Sequence, residues 1–213
     1  MAAYRDSTSQ KIYLGGSINR TTSSEAYRKS ENITLGSFQT HMSSTRKYIS
    51  SSFGGFLYGG NYKAISTAGV EGGNKYFYGG GIRADASLNI PFNFIDWRII
   101  GGKLTILYEE GAFARFRNRV AEKTDYDGLG IPGYDNLNPG NISFNMSIQT
   151  GLVYKHKNFD LGGWGMFGTG NQFLTYGYGL YFSRNHLTSF IQVGSSFYGY
   201  ECLEVGLVYT PHW

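Results

Sequence analysis

A chain of 213 residues, 41% apolar and 17% aromatic, has the length of one domain and enough ring surface to exclude intrinsic disorder. Its net charge of +4 comes without a long basic tract. The nearest is Arg115, Arg117, Arg119 and Lys123, broken by Phe116 and Glu122, so nucleic acid is not an expected partner. One cysteine, Cys202, excludes an internal disulfide, and no apolar run approaches the ~20 residues of a membrane-spanning helix.

The 31 glycines and 18 tyrosines, set against 4 prolines, favour strands and tight turns. In chain order, weak alternation predicts strands over 11–20, 32–42 and 47–59. The next is clear: Tyr76, Tyr78, Ile82, Ala84, Ala86 and Leu88 fall on one face, and Gly79, Gly81, Arg83, Asp85, Ser87 and Asn89 on the other. A strand over 98–117 follows, with a bulge near Gly101-Gly102, where the parity of Trp97 and Ile99 gives way to that of Leu104, Ile106 and Tyr108. The cleanest alternation runs from Ile142 to Leu152, with Ile142, Phe144, Met146 and Ile148 opposed to Ser143, Asn145, Ser147 and Gln149. Strands over 158–167, 174–183, 187–198 and 202–209 complete about ten, an even number suited to a barrel; eight remain if a weak strand fails.

The connections sort by length. Those at 43–46, 91–94, 156–158 and 184–186 are short and fall at one end. The long ones, 21–31, 60–74 and 118–140, fall at the other, together with two short ones near 168–171 and 198–201. Short periplasmic turns with longer outer loops are the arrangement of outer-membrane barrels. Aromatics gather near strand ends (Tyr48, Phe92, Phe94, Trp97, Tyr108, Phe116, Phe159, Trp164, Phe173, Tyr209, Trp213), where amphipathic rings would meet a headgroup zone.

The last strand, Glu204-Val-Gly-Leu-Val-Tyr-Thr-Pro-His-Trp213, resembles the C-terminal targeting strand of small bacterial outer-membrane β-barrel proteins, on Glu204, Gly206, Tyr209 and the terminal Trp213. Pro211 departs from the pattern and cannot donate a ladder hydrogen bond. The resemblance implies insertion by a barrel-assembly machinery, a lipid bilayer as the immediate partner, an outer-membrane location and an export signal already removed.

Alternation alone leaves open which face points outward. In a soluble or lipid-tethered ligand-binding barrel the apolar face is the core, with Tyr176 and Tyr178 lining a pocket; in a membrane barrel it meets acyl chains. Polar faces rich in Gly, Ser, Asn and Thr, in a chain only 16% charged, favour the second. The expected fold is therefore an all-β, closed, antiparallel, up-and-down transmembrane barrel forming a single domain over residues 1–213. Its mid-strand charges, Arg83, Asp85, Lys103, Glu109 and Arg115, are expected to form a lumenal cluster, with Asp85 brought close to Lys103.

Motifs for chemistry are sparse. Gly128-Leu-Gly-Ile-Pro-Gly133 follows no apolar strand and contains Pro132, so it reads as a loop and not as a dinucleotide site. Asp125, Asp127 and Asp135 in the same stretch supply oxygen ligands for a calcium-binding loop, without the bidentate Glu of an EF-hand. His41, His156, His186 and His212 have no zinc spacing. His186 and Ser189 carry opposite parity, which argues against an outer-membrane lipid hydrolase. The expected role is a structural or interaction scaffold, or an accessory subunit of a surface or secretion machine. It is expected to be neither an enzyme nor an open porin, to carry no cofactor, and to meet other outer-membrane or periplasmic proteins.

Overall fold

The computed structural model describes residues 9–23, 32–64, 66, 69–127, 141–170, 173–196 and 200–211. Ten strands and one helix follow in chain order: β1 (Ser9–Ser23), β2 (Asn32–Thr45), β3 (Ile49–Ala64), β4 (Gly73–Pro91), β5 (Ile95–Gly111), α1 (Ala112–Asp127), β6 (Ile142–Lys155), β7 (Asp160–Gly170), β8 (Phe173–Arg184), β9 (Leu187–Ser196) and β10 (Tyr200–Tyr209). Each strand pairs antiparallel with its sequence neighbour, and β1 pairs with β10 from Leu14↔Tyr209 to Ser23↔Tyr200. The sheet is thus a closed ten-strand, up-and-down barrel with no free edge to template aggregation.

Pairing by period two puts one residue set outside and the other inside. Phe144, Ile148, Leu180 and Leu207 are each more than half exposed, on the outer wall. Tyr176 and Tyr178 join them there, exposed by 44% and 66%, which overturns the ligand-pocket reading of these two rings. The inner set includes Tyr13, Ser17, Ser87, Arg98, Ser143 and Tyr181, all buried. An apolar band this continuous is unstable against water and stable against acyl chains, because each large side chain kept out of water gains about 1.5–3 kcal/mol. No described helix is long and apolar enough to cross a membrane; the strands make the crossing. This is the architecture of bacterial outer-membrane barrels.

Short connections follow β2, β4, β6 and β8, all at one end. Backbone hydrogen bonds tie them: Arg46 N to Ile49 O at 2.8 Å, Phe92 N to Ile95 O at 2.7 Å, and His156 N to Phe159 O at 2.9 Å. In the tightest, Asn185 takes φ 54°, a left-handed conformation that asparagine tolerates. Tyr48, Phe92, Phe94, Trp97 and Tyr209 lie exposed around this end as a girdle, and Tyr76, Tyr78 and Tyr108 ring the other. Two aromatics expected in the girdle are elsewhere. Trp164 faces inward on β7, opposite Gly179, and Phe116 is buried on α1. The side chain of Phe173, and Trp213 as a whole, lie outside the described residues.

The bulge lies just ahead of the glycine pair. Leu88 pairs with Ile100 and Asn89 with Arg98, so Ile99 is the extra residue and both isoleucines point outward. Three long strands exceed their expected bounds, because glycines and polar residues near their ends read as turns. β3 continues through Gly60-Asn61-Tyr62-Lys63 to Ala64 and β4 starts at Gly73, which cuts the expected 60–74 loop to residues 65–72. β1 continues to Ser23.

The largest correction concerns 112–127. Strand parity carried β5 to residue 117, but the sheet ends at Gly111, whose φ of 119° turns the chain out of the ladder. A side chain there would be strained in this conformation and would also press on the Tyr76 carbonyl and Phe77 Cα of β4. The next sixteen residues form α1.

Candidate functional site: a stoppered lumen

From the mouth downward, the interior divides into three layers. At the mouth, α1 turns Phe113, Phe116 and Val120 toward the barrel, the three- and four-residue spacing of one helical face. They meet side chains that strand parity has already aimed inward: Tyr62 and Ala64 of β3, Phe77 of β4, and Ile33 and Leu35 of β2. Tyr62 and Phe113 rings lie 4.2 Å apart and Phe77 and Phe113 5.9 Å apart. Val120 is completely buried and Phe116 is 3% exposed. An apolar core thus forms where the helix enters the opening. One ion pair borders it, Arg117 Nη1 to Glu109 Oε1 at 3.1 Å, with the Tyr58 hydroxyl 3.5 Å from the second Glu109 oxygen. Arg117 also lies over the Phe113 ring, 5.7 Å from its centroid.

Six residues back along β5, about 20 Å at strand rise, is the middle layer. Lys103 is in direct register with Asp85 on one side and with Ser147 on the other. Asp85 accepts a hydrogen bond from the Ser52 hydroxyl, and Arg83 donates to Gln39 Oε1 while lying 5.8 Å from the Phe56 ring centroid. Across the lumen, Ser17 Oγ donates to Glu204 at 2.6 Å and shares a 2.8 Å hydrogen bond with Ser37 Oγ. Charges of both signs therefore face one another in a confined space, where pairing and hydroxyl donors offset lost hydration.

The third layer, toward the short turns, holds an Asp96–Lys155 ion pair and a hydrogen bond from Asn89 Nδ2 to Ser50 Oγ at 2.7 Å. Tyr181 and Arg98 are buried beside it. Both groups nearest the turn ends, Asp96 and Lys155, keep the inward parity of their strands.

The five charges expected to cluster are therefore divided. Arg83, Asp85 and Lys103 share the middle layer, and Glu109 sits at the mouth. Arg115 is not lumenal: it lies on the exposed side of α1, and Arg117 is the arginine that meets Glu109. On a strand 115 would share parity with 109. On a helix, each residue turns 100°, and the inward positions become 113, 116, 117 and 120.

The expected calcium loop is described only at its start. Asp125 and Asp127 belong to the last turn of α1, not to a ligand loop, and Asp135 and the 128–133 glycine motif lie outside the described residues. No group of three His, Cys, Asp or Glu positioned to hold a metal occurs among the described residues. His186 Nδ1 lies 2.9 Å from the Thr210 carbonyl, and the Ser189 hydroxyl, on the outer face, lies 3.5 Å from the Phe182 carbonyl.

No family profile and no curated protein matches the sequence. Solved structures with a similar chain path include Neisserial surface protein A (12% identity, 95% of this chain and 98% of that one, TM-score 0.40). An outer-membrane channel from Pseudomonas putida F1 shares 6% identity over 94% of this chain and 95% of its own, at TM-score 0.47. The β-domain of the Bordetella autotransporter BrkA shares 10% over 95% and 99%, at TM-score 0.42.

Proposed function

We propose that the protein is a closed outer-membrane scaffold: a structural or interaction subunit of a surface or secretion assembly, without catalytic turnover, that presents its long-connection end to partners. The observation that carries this reading is α1, packed into the mouth on Tyr62 and Phe77 and pinned by Glu109–Arg117. A barrel built to pass solutes gains nothing from an apolar stopper, whereas a scaffold gains rigidity at the rim where partners dock. Below it, buried Ser17, Ser143 and Arg98 fill the interior as expected for a narrow ten-strand cylinder.

Planar-bilayer recording tests the closure. The native barrel is expected to show no steady conductance. Phe116→Asp combined with Val120→Asp should remove about 3–5 kcal/mol of burial at the helix face and produce steady openings, while heat-modifiable gel migration confirms a folded barrel. Steady conductance in the native protein, or a folded double variant that stays silent, would contradict the stopper.

A further inference from the structure

We infer that the short-turn end is a binding surface for the anionic headgroups of the phospholipid leaflet in which it sits. The inference rests on the membrane-spanning reading and adds a lipid class to it. Arg46 and Lys47 project from the turn after β2, Lys157 from the turn after β6, and Arg184 from the end of β8; all four are exposed. No carboxylate at this end is exposed among the described residues, since Asp96 is buried against Lys155 and Asp160 is half-buried. The opposite end carries exposed charges of both signs, with Arg20, Lys63 and Arg119 alongside Glu71, Glu122 and Glu201. The asymmetry is therefore not a consequence of the chain's overall basic balance.

Two further features fix the ring's height. The cations stand on turns of a few residues closed by backbone hydrogen bonds, 2.8 Å at Arg46–Ile49 and 2.9 Å at His156–Phe159, so they cannot swing far from the barrel rim. They also sit directly against the aromatic girdle. Lys47 Nζ is 5.3 Å from the Tyr48 ring centroid, and the remaining turn, which lacks a cation, supplies exposed Phe92 and Phe94. Rings of this kind settle at the level of headgroups, which places the ammonium and guanidinium groups among the phosphates. A cation near an anionic leaflet contributes about 1 kcal/mol, and four spaced around the rim would enrich acidic lipid over zwitterionic lipid in the first shell. A soluble acidic partner would need the turns to project beyond the bilayer, and turns this short do not.

Trp97, outward and two residues beyond the turn that leads into β5, is a reporter for this shell. The full chain carrying Trp164→Phe and Trp213→Phe is reconstituted in phosphatidylcholine vesicles containing phosphatidylglycerol, with bromine on one lipid at a time. Quenching of Trp97 should give a relative association constant favouring phosphatidylglycerol by at least about fivefold, the share of a single cation. The ratio should fall with added salt. It should approach one when Arg46→Gln, Lys47→Gln, Lys157→Gln and Arg184→Gln are combined, and stay high when Arg115→Gln, Arg119→Gln and Lys123→Gln are combined at the other end. A ratio near one in the native ring, or a preference that survives the four short-turn substitutions, overturns the inference. Absence of quenching by either brominated lipid would instead overturn the membrane reading itself.

Discussion

Met146→Arg should block insertion of the barrel into a bilayer, whereas Gln149→Arg, three residues along the same strand, should be tolerated. Met146 is 63% exposed on the outer wall, paired with Leu104 on β5, and a charge there would have to enter the hydrocarbon. The cost is about 2–4 kcal/mol at the midplane and is not recovered by any neighbour on that face. Gln149 points inward, where a guanidinium would join a polar interior that already holds Arg83 and Lys103. Folding into vesicles, followed by heat-modifiable migration, reads both. Equal behaviour of the two variants would refute the assignment of faces.

Gly81→Val should prevent closure of the sheet, at a cost of about 3 kcal/mol, while Gly102→Val should fold normally. Gly81 faces the lumen on β4, in register with Phe56 of β3 and Leu107 of β5. A Cβ there would collide with the Ile106 carbonyl oxygen of β5 and lie 2.8 Å from the Phe56 ring. The carbonyl belongs to the ladder and cannot yield without breaking it. Gly102 is on the outer face, with open space where its Cβ would stand. Denaturant unfolding in detergent should show the midpoint lost or sharply lowered for Gly81→Val and unchanged for Gly102→Val. A stable Gly81→Val barrel would mean that the wall can relax at this position.

The barrel itself was readable because period-two patterning is strict wherever the two sides of a strand meet different media. Ile142 to Leu152 and Tyr76 to Asn89 face lipid on one side and a confined polar interior on the other, so every substitution of the wrong class carries a cost. Gly101-Gly102 betrayed the bulge for the same reason, since parity cannot change without an extra residue. Where the strands leave the bilayer that constraint ends. Asn61 and Lys63 point outward into a polar zone, and β3 past Gly59-Gly60 reads as a turn although it remains in the ladder.

The stopper was hidden by a different cause. Arg115, Arg117 and Arg119 alternate with Phe116 and Ala114, so a period of two accounts for them as well as a period of 3.6 does. The decisive signal was the spacing of Phe113, Phe116 and Val120, an apolar helical face immediately after Gly111. Its value depends on Tyr62 and Phe77 lying in the same opening, and strand pairing is what places them there. Arg115 falls in the expected lumenal cluster by strand parity alone; helical rotation turns it out and brings Arg117 to Glu109 instead.

Each strand turns its apolar face to lipid and its polar face to the lumen, and spin-label accessibility measures that direction. In a Cys202→Ser background, labels at Phe144→Cys, Ile148→Cys and Leu180→Cys in reconstituted barrels should be relaxed strongly by oxygen, which concentrates in the acyl region, and weakly by a water-soluble nickel chelate. Labels at Asn145→Cys and Ser147→Cys should be poorly reached by oxygen. Alternation with this phase from residue to residue is the predicted result; an inverted phase, or nickel access along the apolar side, would contradict it.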